Sequence, residues 1–91
     1  MIPIDNPVEI TINGILDLHT FSPKEIKSLI PEYLEACRRA GIKHVRIIHG
    51  KGKGILRDSV HSILRRCDIV DGFKIAGPDA GHWGATIVKL K

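Results

Sequence analysis

Aromatic residues are scarce in this chain: two phenylalanines, one tyrosine and one tryptophan among 91 residues. A protein that grips single strands of nucleic acid mainly by stacking on bases needs more rings than that. Long apolar runs are missing too. None approaches the ~20 residues that span a bilayer, and Pro3, Asp5, Asn6, Pro7 and Glu9 interrupt any signal-peptide pattern at the start. A cytoplasmic domain with no membrane partner is the expectation. Cysteine is limited to Cys37 and Cys67, with no CxxC pair, which argues against a disulfide framework or a paired-cysteine metal module. Both fall on the apolar faces of expected helices, where unreactive thiols sit. The glycines and lysines at 50–54 match neither GxxxxGK[ST] nor GxGxxG with its later acid, so no nucleotide cofactor is expected.

Charge is unevenly placed. Residues 1–37 carry six acids against two bases, and residues 38–91 carry four acids against twelve bases. The C-terminal two-thirds is therefore a basic module, and an anionic polymer such as DNA or RNA is the natural partner to consider.

Hydrophobic periodicity divides the chain into a loose arm at 1–9, where Pro3 and Pro7 discourage regular structure, and a single domain at 10–91. Residues 10–18 alternate as a strand, with Gly14 marking a bulge or turn. A helix then opens under strong local signals: Ser22 as cap, Pro23 at the first position, Glu25 to complete a capping box. Ile26, Leu29, Ile30, Tyr33, Leu34 and Cys37 trace its inner face. Pro31 interrupts the hydrogen bonding but not the apolar phase, which predicts one kinked helix ending at Gly41. A short strand follows at 44–48. The second helix runs from Lys53 or Gly54 to Cys67, with Leu56, Val60, Ile63, Leu64 and Cys67 inward and Arg57, His61 and Arg65 elsewhere on its surface. Strands at 72–76 and 84–90 complete the chain. The order βαβαββ predicts a two-layer α/β sandwich: a mixed four-stranded sheet, its first unit parallel and its last two strands antiparallel, with two helices on one face.

The richest chemistry lies in Ile47-Ile48-His49-Gly50-Lys51-Gly52-Lys53-Gly54-Ile55-Leu56. A strand ends in a histidine, three glycines alternate with two lysines, and a helix begins. Flexible backbone, cations and a helix N-terminus together suit a phosphate. Parallel strands bring their C-terminal ends to one edge, so Asp17 and His19 at the end of the first strand are expected near His49 at the end of the second. Imidazoles there can move protons to and from a ribose hydroxyl, water or a leaving oxygen, and Asp17 can orient one of them or bind a metal. The candidate catalytic residues are thus Asp17, His19 and His49. A zinc site built from the same three is a weaker reading, because their spacing is not that of local zinc ligands. The candidate nucleic-acid contacts are Gly50, Lys51, Gly52, Lys53 and Gly54, with Arg46 and Arg57 beside them and His82 and Trp83 in the glycine-flanked loop at 77–84. The same residues equally describe a turn that simply needs glycine, with Asp17 capping nearby backbone.

Three segments carry a family resemblance. Leu16-Asp17-Leu18-His19, then His49-Gly50-Lys51-Gly52 with Gly54 and Leu56, then Gly84-Ala85-Thr86-Ile87-Val88 together resemble the Smr, or small MutS-related, domain. That domain occurs at the C-terminus of MutS2 proteins and also alone. The resemblance covers residues 10–91 and implies a βαβαββ fold similar to the C-terminal domain of a bacterial translation initiation factor. It implies binding of DNA or RNA, and endonuclease or ribonuclease activity with Asp17, His19 and His49 in the motifs associated with cleavage. Magnesium or manganese is the cofactor to test for such cleavage. Thr20 stands where the family has glycine, and His82-Trp83 adds bulk before Gly84. A module that binds nucleic acid without cutting it, and a protein-interaction domain, are the other readings carried forward. A monomer is the default, with an exposed strand edge as the route to a dimer.

Overall fold

Ser22 starts the first helix as its sequence predicts. Its backbone N–H donates to Glu25 Oε1 at 3.2 Å, which is the reciprocal half of a capping box, and Pro23 occupies the first turn. The computed structural model describes residues 11–50, 52, 54–77 and 84–91. The arm expected at 1–9 lies outside the described residues.

Six elements follow one another: β1 (Ile15–Asp17), α1 (Pro23–Arg39), β2 (His44–Ile48), α2 (Ile55–Arg65), β3 (Val70–Ile75) and β4 (Ala85–Leu90). The sheet order is β1-β2-β4-β3. β1 runs parallel to β2, with Asp17 beside Ile48. β4 lies between β2 and β3 and is antiparallel to both. This is the expected mixed sheet, and it does not close into a barrel. α1 is continuous across Pro31, because the apolar stripe on both sides of the proline packs into the same core and outweighs one lost hydrogen bond.

That core is a single cluster. Leu16, Val45, Ile47, Val88 and Leu90 come from alternate positions of the sheet, Ile26, Ile30 and Leu34 from α1, and Val60 and Leu64 from α2. Each fully buried aliphatic side chain contributes about 1.5–3 kcal/mol. The opposite face of the sheet carries Ile15, Arg46 and Lys74, aligned across the strands with Ile87. Among the described residues no helix is long and apolar enough to cross a membrane.

Three boundaries differ from expectation. β1 is shorter than 10–18, because Asn13 Oδ1 takes the Ile15 N–H at 3.0 Å and the Tyr33 hydroxyl takes the Gly14 N–H at 3.2 Å. Those bonds turn the chain before strand pairing begins. α2 ends at Arg65 rather than Cys67, where Arg66 and Cys67 donate to the carbonyls of Ile63 and Leu64 at 3.1 Å and tighten the last turn. β3 starts at Val70, two residues early, by way of a register shift between Val70 and Gly72 that absorbs an extra residue.

Candidate functional site

The C-terminal ends of β1 and β2 meet at one edge, as parallel pairing requires. Leu18 points into the core at 1 % exposure, so its neighbours Asp17 and His19 are turned outward. Asp17 Oδ1 accepts both the His19 backbone N–H at 2.9 Å and the His19 ring Nδ1–H at 2.5 Å. These two bonds, the backbone one foremost, hold the Asp17 carboxyl below the usual carboxylate range. With Nδ1 taken by Asp17, the other ring nitrogen of His19 has no hydrogen-bond partner among the described residues. The side chains are 65 % and 56 % exposed, so a substrate can reach them.

His19 Nε2 faces the glycine loop. A Cβ built on Gly50 would lie 3.7 Å from it. Gly50 has φ +83° and Gly54 φ +82°, a region that side chains other than those of Asn and Asp rarely enter. The His49 and Gly50 N–H groups both donate to the Gly84 carbonyl at 2.9 Å, which ties the start of the loop to the start of β4. An open cleft of about 260 Å³ lies between this loop and the first turn of α2, with Gly50, Gly52, Gly54 and Arg57 in its lining.

The two helices begin differently. Glu25 helps to cap α1, whereas among the described residues no side chain caps α2 at Gly54. The first amides of a helix have no partner within it, so those of α2 are open to an anion in the cleft. Arg57 folds over Gly54, with a terminal guanidinium nitrogen 2.5 Å from where a Cβ on that glycine would be. Its Nε lies 3.5 Å from Asp58 Oδ1.

His49 follows a different course from Asp17 and His19. It is 6 % exposed, and its Nδ1 lies 3.0 Å from the Gly50 carbonyl and its Nε2 2.8 Å from Thr86 Oγ1. The Thr86 hydroxyl, fully buried on β4, also lies 2.8 Å from His61 Nε2 on α2. The His61 ring packs against Phe73 with centroids 4.9 Å apart, and Arg65 covers the same phenyl ring at 5.9 Å. Burial first, then the His49 ring and the Arg65 and Arg57 guanidiniums, push the His61 imidazole's pKa down, while Asp58 opposes them.

Comparison with known proteins gives this edge a context. The sequence matches the Smr domain profile over residues 16–91. The chain belongs to the Smr domain family. It is 35 % identical over 89 residues to the endonuclease MutS2 of Thermomicrobium roseum, covering 93 % of this chain and 11 % of that protein. It is 40 % identical over 76 residues to the endonuclease MutS2 of Brevibacillus brevis, covering 84 % and 10 %. The chain thus spans about a tenth of the length of these relatives. The Smr domain of Thermus thermophilus MutS2 superposes with a TM-score of 0.80 at 34 % identity, covering 87 % of this chain and 99 % of that one. YdaL, a stand-alone small MutS-related protein from Escherichia coli, gives 0.79 at 28 %, covering 86 % and 64 %.

Within this Smr domain the expected site residues separate into groups. Asp17 and His19 form a pair at the rim, and Gly50, Gly52, Gly54 and Arg57 shape the cleft. Arg46 lies on the open face of the sheet two positions before Ile48, Asp17's partner. Its Nε is buried without a hydrogen-bond partner among the described residues. His49 lines the same cleft, with its ring nitrogens turned to the Gly50 carbonyl and to Thr86. Lys51, Lys53, His82 and Trp83 lie outside the described residues. The reading of the sequence did not find His61 or Thr86 as site residues. The available signal was Thr86 itself, a hydroxyl in the core-facing register of Val88 and Leu90. Among the described residues no group of three His, Cys, Asp or Glu side chains is placed to hold a metal ion. Asp17 already spends an oxygen on His19.

Proposed function

We propose that this Smr domain binds nucleic acid across the β1–β2 edge and cleaves a phosphodiester there, with His19 as the proton-transferring base and Asp17 as the carboxylate that orients it. The observation that supports this most is the Nε2 of an aspartate-oriented imidazole beside Gly50, without a partner among the described residues, at the rim of a cleft backed by a helix N-terminus that no described side chain caps. A backbone phosphate in the cleft meets the first amides of α2 and the Arg57 guanidinium, with Lys51 and Lys53 adding charge from the same loop. These donors offset negative charge as it builds on the phosphoryl oxygens. His19 Nε2 takes a proton from the attacking oxygen, a ribose hydroxyl or water, as that oxygen bonds to phosphorus, Asp17 stabilises the imidazolium formed, and the opposite P–O bond breaks with solvent water supplying the proton to the leaving oxygen. His49, which lines the same cleft, holds the loop through the Gly50 carbonyl. The relatives' description as endonucleases supports the same reading.

Binding is tested by fluorescence anisotropy of short duplex DNA and of RNA over a salt series. Affinity falls steeply with salt, and Lys51→Ala and Lys53→Ala each weaken it across unrelated sequences while shallowing the salt slope. Absence of binding to both polymers at low salt refutes the proposal. Thr20, where the family has glycine, is exposed in the turn directly after His19 and favours a second reading, recognition without cleavage. Binding with no product from any substrate would establish that reading.

A further inference from the structure

We infer that His61, Thr86 and His49 form a proton relay that lets the loop take up one proton when it binds an anion. Hydrogen-bond chemistry sets the direction. The Gly50 carbonyl can only accept, so His49 Nδ1, 3.0 Å away, carries a proton. In neutral His49 the Nε2 is then an acceptor, and the Thr86 hydroxyl 2.8 Å away donates to it. Thr86 Oγ1 has one proton, now spent, so at 2.8 Å from His61 Nε2 it accepts an N–H from that ring. The neutral state is one chain: His61 Nε2–H to Thr86 Oγ1–H to His49 Nε2. The two histidines hold opposite tautomers.

The chain conducts in one concerted shift. A solvent proton lands on Nδ1 of His61, which is half-buried whereas His49 is buried. His61 Nε2 then passes its own proton to Thr86 Oγ1, and Thr86 passes its hydroxyl proton to His49 Nε2. His61 is left neutral with its proton on Nδ1. Every donor still has an acceptor, and the charge has moved to a ring that water barely reaches. That ring sits beneath the loop, bonded to Gly50, so its charge faces the cleft. Without an anion, Arg57, which lines the same cleft as His49, and the burial of that ring oppose a charge on His49, while Arg57 and Arg65 oppose and Asp58 alone favours a proton held on His61, with the Phe73 ring from β3 neutral. An anion in the cleft reverses that balance. His61 is in this sense a positioning residue that acts on the loop through His49.

The anion's identity rests on the reading above, but the arrangement of protons does not, and two arms keep them apart. Long-range nitrogen-15 spectra of the free protein at pH 8 should show His49 protonated on Nδ1 and His61 on Nε2. His49 protonated on Nε2 instead overturns the relay whatever the protein binds. Calorimetry of short duplex DNA near pH 7, in buffers of different ionisation enthalpy, should then show uptake approaching one proton, a slope of about tenfold in affinity per pH unit. Thr86→Val removes the acceptor that the Nε2–H of a doubly protonated His49 needs, and His61→Leu removes the acceptor to which the Thr86 hydroxyl then turns; both should lose the uptake. Equal uptake in wild type and His61→Leu, or DNA binding with no uptake, overturns the inference. If no DNA binds at all, the function proposed above fails, and the spectra alone decide the relay.

Discussion

Thr86→Val is nearly isosteric and places a better strand former at the centre of the sheet. Apolar burial alone therefore predicts no loss of stability. The hydrogen bonds predict the opposite. Thr86 is fully buried, and its hydroxyl is the partner of both the His49 and the His61 Nε2 atoms at 2.8 Å. Valine leaves the buried His49 nitrogen facing a methyl group, which costs about 1–3 kcal/mol. His61 is half-buried and turns part of its N–H to water, so it adds about 1 kcal/mol or less, offset by the new methyl. The net cost is about 2 kcal/mol, or a fall of about 8–16 °C in Tm for a domain of this size. Thr86→Ser keeps the hydroxyl and loses one methyl, about 1 kcal/mol. Urea denaturation of the three proteins at pH 7.5 gives the order wild type, serine, valine, with m unchanged. A valine variant as stable as wild type refutes the reasoning and with it the claim that Thr86 is the shared partner.

Other perturbations follow from the same structure. Pro31 lies inside α1, so Pro31→Ala restores a backbone donor there and should raise stability by about 1–3 kcal/mol, read by thermal melting; a lower Tm would contradict the packing described. Gly50→Ala must hold φ near +83°, which costs about 1–2 kcal/mol, and should weaken nucleic-acid affinity more than Gly52→Ala does in anisotropy; equal effects would remove Gly50 from the site. The pKa of His61 is lowered on folding, so the unfolded chain binds more protons just below its ordinary value of about 6.5. Its contribution to stability is full above that pH and is lost as pH falls towards the folded value. Denaturation at pH 7.5 and 5.5 should therefore show a larger loss for wild type than for His61→Gln, and equal losses would contradict the shift.

Much of this was legible in local signals. The capping residues Ser22, Pro23 and Glu25 announce α1 because the first turn of a helix is satisfied by its own side chains. The alternation in Val45, Ile47, Val88 and Leu90 announces the sheet because one face is buried. The pairing of Asp17 with His19 was half legible: spacing of two puts both outward, but the shared Oδ1 depends on the turn after Leu18. β1 read too long because the bond from Gly14 to Tyr33 joins residues 19 apart in sequence. His61 read as a surface residue for a similar reason. Its partner Thr86 is 25 residues away, and a helical wheel shows the direction of a side chain but not what the neighbouring strand offers it. His49 ends a strand whose final register was readable, yet its ring turns to a hydroxyl that only the assembled sheet supplies.

The most direct test of the central claim is cleavage of labelled RNA, duplex DNA and branched DNA by the wild-type protein and His19→Ala, with magnesium, manganese or chelator, and with folding confirmed by circular dichroism. Acid–base catalysis of this kind is worth about 10²–10⁴ in rate. Product from wild type, and a loss of that size in a folded His19→Ala protein, is the predicted result. Undiminished cleavage by His19→Ala would contradict the assignment of His19 as the proton-transferring base.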